Sequence, residues 1–562
     1  MEIRMNPDPI VVDFLVIGGG ISGLQAGITA AEAGLQTLIL EKADTRRSGN
    51  GCGGNDHFMC YLPEYHGDDF EAVMREAKET LVGGNQDDNL FRLMLEKSAD
   101  LIRKWESYGI RMRPTGDWNF EGHAMPGRRR YHLKYDGSDQ KARLTAAAKK
   151  AGARIMNKVV VNEILVNGEG RFVGAIGIGI RDEVPEMLVF QAKAGLIAVG
   201  EAMRMYPGNN PAYMFNTSHC PANAGSGAAM ALRAGARLVN LDLPSRHAGP
   251  KYFTRSGKGT WIGALTDING KLVGPFVDTI HVSRELPDPT GDVWKDCFVK
   301  NMESGKGPVY MNCTGISEDD LAHMRKALVS EGCTSINEYL DQYGIDLRKS
   351  MIEFGQYEHM FYMNGIDIDD RAMSTVPGLY ASGQSVGNVR GDITAAAVFG
   401  DHAARDAAAY VKTVPDFDVR ALTEAIGEKT RLYNFLLREE PGAHWKEANS
   451  TLQKIMDEYV GTRIRSGSLL TAGRKYIRDL RKYSREKLRA ENAHELMRCL
   501  EVLDLLDLAE ACAVSALDRK ETRGAYHRRS DFPFTNPLLN NKFQTVRRKG
   551  DDLETQFRER VR

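Results

Sequence analysis

The sequence predicts an α/β fold with a long helical C-terminal region, on three observations. An apolar run of strand length, Val11–Ile17 (VVDFLVI), passes into Gly18-Gly19-Gly20-Ile21-Ser22-Gly23 and then into an alanine-rich helical stretch, Leu24–Ala33. A second apolar strand, Gln36–Leu40 (QTLIL), ends on Glu41. From Phe417 onward the chain is charged, and apolar residues recur at helical spacing, as in HELMRCLEVLDLLDLAEACAVSAL.

The first element needs its three glycines for separate reasons. Gly18 permits the tight turn, Gly20 lets backbone N–H groups approach a pyrophosphate at the helix N-terminus, and Gly23 lets the helix pack closely on the strand. G-x-G-x-x-G alone is a weak signal. Placed between strand and helix, with an acid at the next strand end to accept from a ribose 2′-OH, it predicts a bound dinucleotide whose adenosine carries no 2′-phosphate. FAD is favoured over NAD by three downstream segments. Glu41-Lys42-Ala43 leads into a glycine and serine loop, an apolar strand reappears at Ala192–Val199 before Gly200, and a third such piece, Pro377–Gly383, lies beyond.

A chain of 562 residues predicts two or three domains. The net charge of -1, from 74 basic and 75 acidic residues, gives no basic field for nucleic acid and favours a small-molecule partner. No apolar run approaches the roughly 18 residues of a spanning helix, and the N-terminus lacks a signal-peptide pattern. The expectation is a cytoplasmic protein without direct membrane insertion. The eight cysteines show no C-x-x-C spacing, which argues against a zinc ribbon or an iron–sulfur cluster in this chain; no metal site is assigned. The basic run from Arg474 to Glu491 has interleaved acids in helical phase and reads as a solvated helix face.

Seven segments in order carry a resemblance: GGGISG, LILEKA, RSG followed by GG, AKAGLIAVG, NAGSGAAMALRAGA (Asn223–Ala236), PGLYASGQ (Pro377–Gln384) and ETRGAYHRRSDFP (Glu521–Pro533). Together they resemble the flavoprotein subunits of the fumarate reductase and succinate dehydrogenase family, which includes L-aspartate oxidase and the adenylylsulfate reductase alpha subunit. The resemblance implies a discontinuous Rossmann-like FAD-binding domain (1–238 and 350–414), an inserted α+β capping domain (239–349) and a helical C-terminal domain (415–562). The middle segment agrees independently, since it lacks the strand and glycine-turn pattern and carries polar helical stretches such as Asp319–Glu331.

The FAD contacts expected are Gly18, Gly20, Ser22, Gly23, Glu41, Lys42, Ser48, Gly49, Gly53, Gly54, Val160, Gly200, Gly383, Gln384, Ile393 and Thr394. Four glycines between Gly49 and Gly54 surround Cys52 and bring backbone N–H groups toward the flavin ring. Family members that tether FAD covalently do so through a histidine directly after the serine of an R-S-H-T pattern. Here Arg47-Ser48 is followed by Gly49, so FAD is expected to be noncovalent.

The resemblance also implies that cationic side chains hold an anionic substrate over the flavin while hydride passes to or from it. The family's catalytic arginine stretch matches FTRSGKGTWIGALTDINGK, Phe253–Lys271. Counting back from the turn at Asp267–Gly270 leaves three readings open: Arg255 serves, Lys258 has taken the role, or neither chemistry is retained. His359 matches a substrate-binding histidine. Arg390 matches an arginine in the segment that closes over the substrate and starts a helix under the flavin, where N–H groups of Gly391–Thr394 stabilise the negative charge of reduced flavin. Asn55, past the glycine loop, is placed to orient substrate. Arg128, Arg129 and Arg130, with Trp118 and His123, are loose candidates for a wider pocket.

The function so implied is FAD-dependent two-electron redox on a small anionic substrate, with electrons exchanged with a separate iron–sulfur or other electron-transfer protein. The alternatives are an adenylylsulfate reductase-like enzyme and a noncatalytic electron-transfer flavoprotein.

Overall fold

The computed structural model describes the chain apart from residues 1, 7, 54–56, 79–85, 121–128, 209–213, 216, 218, 247, 252, 254–259, 281–282, 285–287, 289, 291–293, 295, 331–332, 357–362, 391, 462–463, 525–526 and 562. An eight-stranded sheet is organised around Glu186–Ile197. Its residues 190–197 pair in parallel with Ile10–Ile17, which leads outward to Thr37–Glu41 and Arg154–Asn157, also parallel. On its other side the N-terminal half pairs antiparallel with Phe172–Gly179, and the C-terminal half pairs in parallel with Leu379–Ala381. The central strand is long enough to serve both partners, and the carboxyl ends of four parallel strands therefore converge at Gly18, Glu41, Gly200 and Ser382. Ligands bind at such an edge in open α/β sheets.

Helix Ile21–Glu32 follows the glycine turn and packs on Ile393–Tyr410. The close approach rests on absent side chains: a Cβ on Gly400 would lie 2.4 Å from the Ser22 carbonyl oxygen. A polar network crosses the same interface. Thr29 Oγ1 donates to Asp401 Oδ1 at 2.5 Å, Trp105 Nε1 donates to Gln25 Oε1 at 3.1 Å, and Arg405 pairs with Asp401 at 2.6 Å. The buried groups, Gln25, Thr29, Trp105 and Asp401, satisfy one another, so their burial is tolerated.

The inserted region has its own antiparallel sheet, in the order Ala248–Pro250, Ile352–Gln356, Val309–Asn312, Ala264–Thr266, and its own apolar core of Trp261, Leu265, Met311, Met324, Leu328 and Phe354. Helices Glu318–Ser330 and Thr334–Gln342 lie within this region. The strand Ile352–Gln356 belongs to this sheet although it lies beyond residue 349. The chain enters and leaves side by side, for Val239 pairs with Gly365 and Ala248 with Gln356.

The C-terminal region contains helices Thr423–Leu436, Trp445–Ile455, Gly467–Lys487 and Ala493–Asp518. The last is buried almost throughout, so its weak amphipathicity reflects enclosure on all sides. Sequence reading missed the strands beyond it. Lys542–Lys549 and Asp552–Glu559 form a hairpin that pairs Val546 with Leu238, adding two strands to a small sheet at the root of the inserted region. Its charged, alternating residues do not announce a core strand. Arg558 pins the hairpin by pairing with Asp87 at 2.7 Å and Asp367 at 2.6 Å.

Candidate active site

The glycine turn has the geometry its sequence demands. Gly18 has φ +104°, and a Cβ there would lie 2.4 Å from the Ala198 carbonyl oxygen; a Cβ on Gly23 would lie 1.8 Å from the Gly18 carbonyl oxygen. Gly20 differs, since its Cβ would meet nothing closer than 3.7 Å. The open space at Gly20 is on the ligand side, where a helix N-terminus presents its N–H groups. Glu41 is buried; its Oε2 accepts from Gly19 N at 2.8 Å and its Oε1 from Ala43 N at 2.7 Å. Each oxygen keeps a second lone pair, so a ribose diol still finds an acceptor.

Four buried hydroxyls at this edge have no hydrogen-bond partner: Ser22 Oγ, Thr45 Oγ1, Ser48 Oγ and Thr394 Oγ1. Leaving such groups unpaired costs about 1–3 kcal/mol each. Their convergence with the space at Gly20 fits a large polar ligand such as a dinucleotide. Gly49, with φ +70°, faces open space; Asn50–Gly53 forms a 3-10 turn, and Gly54 and Asn55 lie outside the described residues. Gly383, with φ +67°, would bring a Cβ to 3.5 Å from Ser22 Cβ, so the return segment closes on the same groove. Ser385 Oγ donates to the Gly200 carbonyl at 3.0 Å. Val160 is buried in the strand Val159–Val166.

Lys42 is turned away from the groove. Its Nζ meets the Ala222 carbonyl and lies 2.8 Å from Glu501 Oε1. Burial pushes the Glu501 carboxyl up, but Lys42, Arg204 and Arg498 outweigh it and hold it down at about 2.

Sequence reading passed over Lys141. This residue, 3 % exposed, directs its Nζ to the Gly19 carbonyl inside the glycine turn. Burial pulls its ammonium down to about 8 against the attraction of Glu41. A cation there complements a diphosphate. Only the fold brings residue 141 to residue 19, and no motif marks it.

Asn50 joins three segments of the groove. Its Nδ2 donates to Glu201 Oε1 at 2.9 Å and to Gln384 Oε1 at 2.5 Å, and its Oδ1 accepts from Cys220 N at 2.9 Å and Asn223 Nδ2 at 3.2 Å. Glu201 Oε1 also meets His219 Nδ1 at 2.5 Å. None of these residues was singled out from sequence except Gln384.

Arg390 stands at the start of helix Ile393–Tyr410. Its Nε lies 3.0 Å from Asp392 Oδ2, while Asp392 Oδ1 caps the helix by accepting from Ala395 N at 3.1 Å. The first-turn N–H groups of Ile393 and Thr394 have no intrahelical acceptor. The segment is fixed from behind, because Asn388 Nδ2 donates to Asp87 Oδ2 at 2.8 Å and Asp87 is clamped by Arg558. Arg255, Lys258 and His359, with Arg128 and His123, lie outside the described residues. Arg129 donates to the His66 carbonyl at 2.5 Å and Trp118 stacks under Arg113. Arg246, at the entry to the inserted region, donates to the Gln356 carbonyl at 3.2 Å and adds a cation that sequence reading did not name. Among the described residues no group of three or more His, Cys, Asp or Glu side chains is arranged to hold a metal, and no helix is long and apolar enough to cross a membrane.

A parallel sheet with a glycine turn, a buried acid at the next strand end and a lined groove at its carboxyl edge is the arrangement of a dinucleotide-binding protein. Residues 13–394 match the family described as FAD binding domain, and residues 449–558 match Fumarate reductase flavoprotein C-term. The chain therefore belongs to the fumarate reductase flavoprotein family and is an FAD-dependent oxidoreductase. It is 26% identical to a subunit of the fumarate reductase (CoM/CoB) of Methanothermobacter marburgensis, over 95% of this chain and 97% of that protein. It is 24% identical to L-aspartate oxidase of Streptomyces coelicolor, over 92% of this chain and 88% of that protein. In fold it is similar to adenylylsulfate reductase from Archaeoglobus fulgidus, with a TM-score of 0.83 at 21% identity, covering 100% of this chain and 97% of that one.

Proposed function

We propose that the protein carries out hydride-type redox chemistry on a small anionic substrate held between the flavin groove and the inserted region, with noncovalent FAD. Bound FAD supplies the two-electron donor or acceptor. The residues proposed to hold it are Ser22, Ser48, Thr45 and Thr394 through their unpartnered hydroxyls, Gly18, Gly20 and Gly23 at the pyrophosphate turn, and Glu41 at the ribose. Gly49, Gly53, Gly54, Val160, Gly200, Gly383, Gln384 and Ile393 complete the proposed cradle, and Lys42 enters it through its backbone because its ammonium is committed to Glu501.

The observation that carries the substrate reading is the Arg390–Asp392 pair at a helix N-terminus beside the groove. Asp392 accepts from the guanidinium Nε, a guanidinium is a planar cation that suits an anionic oxygen, and the helix end adds its positive field. Arg255 and Lys258 from the inserted region, His359 from the segment that follows it and Asn55 from the glycine loop are proposed to complete the substrate site, with a cationic or histidine group moving the proton.

The protein is proposed to exchange electrons with a separate iron–sulfur or other electron-transfer protein, consistent with relatives named as subunits. A cytoplasmic location is proposed with it; all eight cysteines are free thiols, which suits a reducing compartment.

The test is reoxidation of the dithionite-reduced flavin by fumarate and other enoates, by adenylylsulfate, and by uncharged enones. Rapid reoxidation by one anionic class, lost in Arg390→Gln, supports the reading. Reoxidation by none of the anions, or equally by uncharged analogues, overturns it.

A further inference from the structure

The Glu201–His219 pair has no place in the chemistry above, yet it lies at the carboxyl edge of the sheet directly after Gly200. Glu201 is 2 % exposed. One oxygen, Oε1, meets both His219 Nδ1 at 2.5 Å and Asn50 Nδ2 at 2.9 Å, while Oε2 is buried without a hydrogen-bond partner. A carboxylate is an acceptor, so it fixes the imidazole with its proton on Nδ1 and leaves Nε2 as the basic atom. The His219 side chain is 19% exposed, which gives a proton from solvent a route to it.

The same pair is wired to the flavin cradle through Asn50, which stands in the glycine loop and donates to Gln384 on the return segment. Among the described residues these charged and titratable groups stand around the pair. On the loop side stand Cys52 and, behind it, Lys141; on the histidine's own loop stands Cys220. Beyond that loop lie Arg204, within electrostatic reach of Cys220, and Lys42 through the Ala222 carbonyl, both already engaged with Glu501. A neutral imidazole on a carboxylate carries net charge -1. An additional negative charge in the adjoining groove raises the demand for a compensating proton.

We propose that the His219–Glu201 pair takes up a proton at His219 Nε2 when the bound flavin is reduced. Two electrons and one proton enter the flavin from the reductant and solvent. The second proton comes from solvent to the imidazole, forming an imidazolium–carboxylate pair of zero net charge, and it returns to solvent on reoxidation. This inference rests on FAD filling the groove beside Gly200 and Asn50.

The test is the midpoint potential of the FAD-loaded protein, titrated with dithionite and mediators between about pH 5 and 8, where a histidine titrates. Each proton coupled to a two-electron couple adds about 30 mV per pH unit. The slope in the wild type is expected to exceed that of His219→Gln and of Glu201→Gln by up to this amount within the window. The partly exposed His219→Gln decides the matter alone where Glu201→Gln does not retain FAD. Equal slopes in wild type and His219→Gln, with an unchanged flavin absorbance spectrum, overturn the proton-uptake role and leave the cofactor assignment standing. Failure of the wild type to retain or rebind FAD fails the cofactor assignment, and the proposal with it.

Discussion

Lys42 Nζ lies 2.8 Å from Glu501 Oε1, joining the end of the second flavin-domain strand to the middle of the buried C-terminal helix. Arg204 and Arg498 reach the other carboxylate oxygen at 2.5 Å and 2.8 Å. Three cations thus share one carboxylate, and the two regions cannot separate without stranding Lys42 and Arg204.

A stability dependence on acid results. The folded carboxyl is held at about 2 against an ordinary 4.5, so its contribution is fully present above pH 4.5 and is lost as pH falls through about 2. The contribution is on the order of 3 kcal/mol. Denaturant titrations across this range should show that loss in the wild type. Glu501→Gln should lack it and be less stable at neutral pH, because the cations lose their partner.

Lys141 gives the opposite end of the pH scale. Its folded value of about 8 lies below the ordinary 10.5, so FAD-free protein should gain stability as pH rises from about 8 to 10.5, again on the order of 3 kcal/mol. Lys141→Met should remove the gain. Bound FAD should shrink it, since a diphosphate beside the ammonium keeps it charged; thermal unfolding with and without FAD reads both effects.

Gly20 and Gly23 separate binding from folding. Gly20→Ala meets no protein atom within 3.4 Å, so FAD-free protein should keep its melting temperature while FAD binds at least about tenfold more weakly. Gly23→Ala collides with the Gly18 carbonyl and should lower both. Calorimetric titration with FAD checks the contrast.

Asp392→Asn retains a helix cap but removes the charge that orients Arg390. On the substrate found by the reoxidation screen, kcat/KM should fall about 100-fold in Arg390→Gln and less in Asp392→Asn, as expected for loss against misplacement of one contact. Equal KM and kcat in all three proteins would remove Arg390 from the site.

FAD should be released by acid precipitation into the supernatant. Gly49 stands where a tethering histidine would stand, and the space around it is open. Yellow colour retained in the washed precipitate would show a covalent link.

The glycine turn and the acid after it were legible because their determinants are local. Gly18, Gly20, Gly23 and Glu41 lie within 24 residues, and each answers a demand made by its own turn or strand end. The helices Gly467–Lys487 and Ala493–Asp518 were legible because their apolar spacing repeats over many turns. The strands of the inserted region were not, being three to five residues long with no room for alternation to show. The C-terminal hairpin was missed because its stability comes from Arg558 and from pairing with Leu238, some 300 residues away.

By itself, then, the sequence determined the glycine turn, the acid at the next strand end, the long helices and the family, all of which depend on residue type at fixed short spacing. Tertiary structure alone decided where the charges of the site stand. It turned Lys42 away to Glu501, placed Lys141 under the glycine turn and brought Glu201, His219 and Asn50 together. Electrostatic and hydrogen-bond partners are chosen by distance in space, and those distances are set by the packing of segments far apart in the chain.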